Sequence, residues 1–363
     1  MTYIPYNKRC IKLPSGFHFI YPYINKEREN PLIELILDNN ALIRCSGWIS
    51  NIKRMDKNIQ KKFLHRGKGY VGFNVNFWLA LVEQYLSNEE FQQNATCRID
   101  EYIKKFKDEL GIPFADDLSA DLFKLLQHNE NQNKTEFIRS FLYVILLYRI
   151  SSAKRNDEKP FQLLQQLKDK NVPCFSSIIM LCCLAEYLNK NQNIKIIGDE
   201  KPAYSYLQNF IIPKSGKKGE HGLEEKYFRN RAGDLSFWLS LPELMQNGYE
   251  LIGEPMIVTA DKPLKEFIFR CFPFVWQEDR KMAICFDEKC FEQQHVEKIK
   301  NMIKDILWEF IPPNNEEEKF IRMENLKNHV LDGADENLKV VVEKIWNDWF
   351  LPGFGKSFQT VQA

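Results

Sequence analysis

Apolar runs of two different kinds alternate along the chain. Residues 32–37 form a short apolar run that only Glu34 interrupts, and the run stops at Asp38. Residues 255–259 form a second, β-branched run that stops just before Asp261. Both runs are typical of buried strands, whereas residues 95–190 repeat apolar positions at helical spacing. Strands combined with long helices predict an α/β core with helical additions.

The length of 363 residues predicts two domains, or one domain enlarged by insertions. Residues 1–29 are rich in Pro, Tyr and Lys and predict an irregular N-terminal lead-in. We expect an α/β domain at 30–274, with a helical insertion at about 95–190. Residues 275–363 predict a mostly helical accessory region. It begins as an α+β extension, because strand-like runs at 266–276 and 281–286 precede its helices.

The composition limits where a nucleic acid or a membrane can bind. Lys plus Arg number 50 and Asp plus Glu number 49, so the net charge of +1 exerts no overall attraction for nucleic acid. Any basic binding surface must therefore be local. No apolar run reaches the roughly 18–20 residues of a membrane span, and the first residues lack a signal-peptide pattern. These features predict a cytoplasmic protein without membrane contact.

The two strand-end aspartates are the residues that point to chemistry. In an open α/β sheet, ligand sites lie at the carboxyl ends of the strands. Two carboxylates that meet there repel each other unless one is protonated or a cation bridges them. A hard divalent ion such as Mg²⁺ removes the repulsion and leaves room for water and phosphate. Asp38 and Asp261 therefore predict a metal-assisted phosphodiester hydrolase.

Four segments carry a resemblance to a known family: ILDNNALI at 36–43, FWLALVEQYL at 77–86, RNRAGDLSFWLSL at 229–241 and MIVTADKPLKEF at 256–267. In this order they resemble the PIN-domain nucleases. Asn39 departs from the Ser or Thr usual in the family, and the gap between Glu83 and Asp234 is far longer than usual, which implies a large insertion. Because Asn can still orient a carboxylate, we expect the site to survive.

The resemblance implies a three-layer α/β/α fold with a central parallel sheet. It implies that Asp38, Glu83, Asp234 and Asp261 are the catalytic residues and the ligands of Mg²⁺ or Mn²⁺, with Asn40 orienting Asp38. The implied activity is an endonuclease, with RNA favoured over DNA as substrate. By analogy with toxins and antiviral defence effectors of this kind, an inhibitor or trigger protein and a homo-oligomer are further expected partners.

Candidate substrate-binding residues lie in two basic stretches. Lys57, Lys61, Lys62 and Arg66 follow the first predicted strand, and Arg231 precedes Asp234 by three residues. Such cations bind phosphates without reading sequence. The alternative for the first stretch is a solvated helix face, and for Arg231 a structural ion pair.

Two other functions stay open at this point. The chain can be a PIN-like nucleic-acid-binding or assembly subunit that has lost catalysis, although all four acids are retained. Arg322 and His329 have the spacing of the metal-free HEPN ribonucleases, which an amphipathic helix also produces. A haloacid-dehalogenase phosphatase is disfavoured, because it needs an Asp where Asn40 stands.

Replacing Lys57, Lys61 and Lys62 by Ala should weaken RNA binding and flatten its dependence on salt. Each phosphate of a single strand that a lysine no longer neutralises reduces the slope of log K against log salt by about 0.7. Affinity measured between about 50 and 200 mM salt tests this expectation. An unchanged slope would place the basic surface elsewhere.

Overall fold

The computed structural model describes residues 2–27, 32–52, 72–212, 225–279 and 281–352. The chain divides into two compact units. The first consists of residues 1–130 and 237–285, and the second of residues 131–236 and 286–363.

In the part of the first unit that the structure describes, five strands form one sheet. They are β1 (Cys10–Lys12), β2 (His18–Ile20), β3 (Ile33–Leu37), β4 (Phe73–Asn76) and β5 (Glu254–Thr259). Their order across the sheet is β1-β2-β5-β3-β4. The three strands β4, β3 and β5 are parallel, whereas β2 is antiparallel to β5 and β1 is antiparallel to β2. A separate antiparallel pair joins β6 (Phe274–Val275) to β7 (Ala283–Ile284).

The central position of β3 explains its composition. All five of its residues are buried, as is usual for a parallel strand covered on both faces. The one polar member, Glu34, accepts hydrogen bonds from the main-chain N–H of Ile252 (2.6 Å) and from the side-chain amide of Asn76 (2.8 Å). These bonds satisfy the buried carboxylate and hold the start of β5 against β3.

The helices are, in chain order, α1 (Tyr6–Arg9), α2 (Asn39–Ile43), α3 (residues 46–52), α4 (Trp78–Ser87), α5 (Glu89–Gln93), α6 (Ala95–Leu110), α7 (Leu118–His128), α8 (Glu130–Ser152), α9 (Lys159–Gln166), α10 (Ser176–Lys190), α11 (Ala203–Ile211), α12 (Glu225–Gln246), α13 (Phe269–Cys271), α14 (Gln293–Ile306), α15 (Glu316–Leu331) and α16 (Glu336–Ile345). A π-helical turn, Leu264–Ile268, leads into α13, and a second one, Trp346–Phe350, follows α16. Among the described helices, none has the length and apolarity needed to cross a membrane.

Trp48 joins helices to the sheet in the core of the first unit. Its indole N–H donates to the carbonyl of Ala41 at 2.8 Å, which ties α3 to α2. Its ring stacks on Phe106 of α6 and meets Phe19 of β2 edge to face. Because all three rings are buried, this cluster fixes α2, and therefore its first residues, over the carboxyl end of β3.

The second unit is helical throughout the part that the structure describes, apart from short connections. Helix α8 runs through its core, where the hydroxyl of Tyr143 donates to the carbonyl of Pro173 at 2.6 Å. Asn189 of α10 donates to the carbonyl of Ile150 at 3.0 Å. The prediction that residues 95–190 are predominantly helical is confirmed.

The structure differs from three expectations about the organisation of the chain. Within residues 1–29, where an irregular lead-in was expected, β1 and β2 extend the sheet; each has only three residues, too few to show a period. The strand-like run at 266–276 is helical as far as Cys271, and only Phe274–Val275 forms a strand within it, since a short buried apolar run has no distinguishing period. Most of the expected insertion and most of the C-terminal region lie in the same compact unit, which consists of residues 131–236 and 286–363.

The Gly253→Ala substitution should lower the free energy of unfolding by about 1–3 kcal/mol. An added Cβ would lie 2.6 Å from the main-chain oxygen of Leu32, and backbone atoms cannot yield as a side chain can. Gly47→Ala is the matched control, because there the atom nearest to an added Cβ lies at 3.0 Å in the ring of Phe17, a side chain that can shift, and alanine favours the helix. Chemical denaturation measures the free energy of unfolding of both variants. Equal losses in the two variants would contradict the conclusion that the backbone contact at Gly253 leaves no room for a Cβ.

Candidate active site

The two strand-end aspartates lie at neighbouring strand ends of the first unit. Leu37 pairs with Val258 in the parallel register, and the N–H of Asp38 donates to the carbonyl of Val258 at 3.1 Å. Asp38 therefore follows β3 beside Thr259, the last residue of β5. The chain passes from β3 to β4 on one side and reaches β5 on the other. This is a topological switch point, where open α/β sheets form their ligand sites.

A chain of hydrogen bonds links Asp38 to Asp261. One carboxylate oxygen of Asp38 accepts from the N–H of Ala41 at 2.6 Å and so caps α2. The other accepts from the hydroxyl of Thr259, which in turn accepts from the N–H of Asp261 at 3.0 Å. Asp261 then accepts from the N–H of Leu264 at 2.9 Å. Both carboxylates are thus held in place by the backbone that follows their strands.

Burial makes the charge of Asp38 unfavourable. The side chain is only 4% exposed, and this burial raises its pKa from 3.8 to about 7. The nearby charge of Asp261 raises the pKa further, whereas the hydrogen bonds from Thr259 and Ala41 lower it. Near neutral pH the site therefore holds a carboxyl group whose negative charge a cation would stabilise.

A hydrogen bond from Asn39 connects Glu83 to the residues at this end of the sheet. The side-chain amide of Asn39 donates to a carboxylate oxygen of the half-buried Glu83 at 3.1 Å, which connects α2 to α4. The amide oxygen of Asn39 is buried and has no hydrogen-bond partner among the described residues. An oxygen atom in this state is a suitable ligand for a hard cation.

The oxygen atoms at this edge of the sheet are of the chemical types that bind Mg²⁺ or Mn²⁺. Asp38, Asn39 and Asp261 provide carboxylate and amide oxygens at one sheet edge, and Glu83 adjoins them. Within the described ranges, no three His, Cys, Asp or Glu side chains lie together in an arrangement that could hold a metal ion. An ion here would therefore be bound by the two aspartates with amide or water oxygens, as Mg²⁺ commonly is.

Asp234 and Arg231 belong to the second unit. On α12 they form an ion pair, with 2.8 Å between a guanidinium nitrogen and a carboxylate oxygen. The guanidinium group also lies over the rings of Phe210 and Tyr227, at 5.3 and 5.7 Å. These contacts match the structural ion pair that was the alternative to substrate binding for Arg231.

The orienting role expected of Asn40 has no counterpart among the described hydrogen bonds of Asp38. Its side chain is exposed on α2, and Asp38 is held instead by Ala41 and Thr259. The reason is helical geometry: the residue directly after the cap, Asn39, faces α4, whereas Asn40 faces outward. The predicted substrate-binding residues Lys57, Lys61, Lys62 and Arg66 lie outside the described residues.

The pair that suggested a HEPN ribonuclease is engaged in structural contacts of the second unit. Arg322 of α15 binds Glu318 and the carbonyl of Ile311. His329 lies 2.6 Å from the carbonyl of Leu163, and burial lowers its pKa. Both side chains are at least nine-tenths buried, so these contacts favour a role in stability.

No protein-family model, curated protein or solved structure matches this chain. The arrangement of side chains is consequently the basis for a functional interpretation. Reasoning from the sequence missed Thr259, although it stands two residues before Asp261, because a hydroxyl within a strand gives no sign of its partner. Asn39 was expected to orient a carboxylate, but the sequence did not show that this carboxylate is that of Glu83.

In the absence of divalent ions, Asp38 should make the protein less stable as the pH rises. The pKa of Asp38 is higher in the folded state than in the unfolded state. The protonated side chain therefore contributes fully to the free energy of unfolding below pH 4, and this contribution is lost as the pH rises through about 7. At about 1.4 kcal/mol per pKa unit, the loss is about 4 kcal/mol. Asp38→Asn should remove this dependence and be more stable than the wild type at high pH.

Denaturation in a chelating buffer at several pH values measures this effect. Asp100→Asn, the same chemical change at an exposed position of the first unit, serves as the control and should retain the wild-type pH profile. If Asp38→Asn also retains it, the carboxyl group of Asp38 does not have the raised pKa.

Proposed function

We propose that this protein is a metal-dependent endonuclease with a PIN-like active site, and that RNA is its preferred substrate over DNA. The observation that carries the proposal is the hydrogen-bonded connection of Asp38, Thr259 and Asp261 at the switch point between β3 and β5. A pair of carboxylates at such a position, with Asp38 buried and Asp261 half-buried, is suited to a divalent cation and a phosphate.

Each residue at this edge has a task in the proposed reaction. Asp38 and Asp261 bind the cation, and Thr259 keeps the carboxylate of Asp38 turned toward Asp261. Asn39 adds an amide oxygen and holds Glu83 beside the pair. Mg²⁺ or Mn²⁺, when bound, lowers the pKa of the attacking water and neutralises charge on the phosphate. No serine or histidine nucleophile is required.

The finer parts of the proposal extend beyond these contacts. The fold would be a three-layer α/β/α arrangement of PIN type. Lys57, Lys61, Lys62 and Arg66 would hold the nucleic-acid backbone. A toxin or antiviral defence effector is the proposed biological role, with an inhibitor or trigger protein and a homo-oligomer as proposed partners.

A non-catalytic nucleic-acid-binding subunit is the second candidate. One observation favours it: both aspartates cap helical segments, a role that would preserve them without catalysis. Such a protein would bind RNA equally well with or without a divalent ion. Cleavage therefore separates the two candidates.

In the presence of Mg²⁺ or Mn²⁺, wild-type protein should cut a labelled RNA, and Asp38→Asn and Asp261→Asn should abolish cleavage. Thr259→Val and Asn39→Ala should reduce the rate by about 10–100-fold, as is usual for residues that orient metal ligands. Asp100→Asn is the matched control and should be fully active. The rate of product formation on a denaturing gel is the measurement.

Cleavage that persists in both aspartate variants would exclude the assigned site. Metal-independent RNA binding by the wild type, with no cleavage under any condition, would favour the non-catalytic candidate.

A further inference from the structure

A row of polar residues continues the candidate site across the sheet. Lys12 of β1 pairs with His18 of β2, and His18 pairs with Thr259 of β5. Asp38, the residue after β3, lies beyond Thr259 and accepts a hydrogen bond from its hydroxyl. Directly paired residues project from the same face of a sheet. Lys12, His18 and Thr259 therefore lie in register across β1, β2 and β5, and Asp38 follows at the end of β3.

His18 is the unusual member of this row. Its side chain is 1% exposed, and neither ring nitrogen has a hydrogen-bond partner among the described residues. A buried imidazole without partners is costly, so its nitrogens are expected to bind a group that is not part of the described protein. An apolar residue would fill the same place in the strand at lower cost.

Positive charge surrounds this histidine. Besides burial, the ammonium groups of Lys265, Lys12 and Lys262 lower the pKa of His18, to about 4. Lys12 and Lys262 are exposed, and Lys265 is half-buried after Asp261. The imidazole is therefore neutral near pH 7, and can donate one hydrogen bond while three lysines supply the charge. An anion is the ligand that suits this combination.

We propose that Lys12, His18, Lys262 and Lys265 form a phosphate-binding subsite for the nucleic-acid backbone beside the bond to be cut. The inference rests on the proposed nuclease function and gives its substrate a position. Two strand spacings, about 10 Å, separate His18 from Asp38. An RNA strand whose scissile phosphate lies at the two aspartates would thus place a neighbouring phosphate near the lysines.

The subsite would also offset the electrostatic repulsion between the two aspartates and the nucleic acid. Asp38 and Asp261 repel a polyanion, and the net charge of the whole chain supplies no compensating attraction. Lysines on β1 and directly after Asp261 provide that attraction close to the carboxylates. They would fix the position of the backbone without selecting a base sequence.

The double variant Lys12→Ala/Lys262→Ala should bind a fluorescent oligouridine more weakly than the wild type in a chelating buffer. The slope of log K against log salt should fall by about 0.7 for each phosphate that is no longer neutralised. Lys12→Arg/Lys262→Arg should keep the slope. Lys104→Ala/Lys107→Ala removes the same charge from exposed positions of α6 and should leave affinity and slope unchanged. Equal slopes in the wild type and the Lys12→Ala/Lys262→Ala variant would overturn the proposal.

The His18→Leu substitution tests whether the buried imidazole contributes to binding of the nucleic acid. It should weaken oligouridine binding without lowering the free energy of unfolding, because leucine places no unpaired polar atom in the strand. His18→Gln, which retains a donor, should bind more tightly than His18→Leu. Equal affinity of His18→Leu and wild type would mean that only water reaches the ring, and would overturn the role of His18.

A measurement with inorganic phosphate separates this proposal from the nuclease proposal. Phosphate should shift the ring resonances of isotope-labelled His18, and the Lys12→Ala/Lys262→Ala variant should lose the shift. If the shift occurs but no RNA is cut with Mg²⁺, the subsite stands and the nuclease function fails. If RNA is cut while the resonances and the salt slope do not change, the nuclease stands and the subsite is refuted.

Discussion

The parallel pairing of β3 with β5 is the interaction on which the first unit depends. The two strands are more than 200 positions apart along the chain, and a buried carboxylate holds them together at each end. Glu34 accepts from the N–H of Ile252 where β5 begins, and Asp38 accepts from Thr259 where it ends. Because the close approach at Gly253 leaves no room for a side chain, the register between them is closely constrained.

This register creates an electrostatic conflict at the carboxyl edge of the sheet. It places Asp38 in a buried position near Asp261, where burial and like charge both oppose ionisation. A divalent cation would relieve the conflict, and the charges of Lys265, Lys12 and Lys262 act on His18 at the same edge. The row from Lys12 through His18 and Thr259 to Asp38 thus has a positive end and a negative end.

The strands that precede Asp38 and Asp261 could be predicted because each is a compact apolar run with a clear end. The run at 32–37 and the run at 255–259 both form strands, and each is followed by an aspartate that caps the next helical segment. The short strands β1 and β2 could not be predicted, since three residues show no period. The run at 266–276 was predicted to be a strand although its first part is helical, because a buried helix and a buried strand are equally apolar.

The sequence by itself determined that Asp38 and Asp261 follow strands, that residues 95–190 are predominantly helical and that no overall charge attracts nucleic acid. Only the tertiary structure decided the neighbours of those carboxylates. Thr259 meets Asp38, Asn39 meets Glu83, and His18 joins the same row, because strand order and register bring them together. Local residue patterns contain no information about strand order, which depends on packing between segments far apart in the chain.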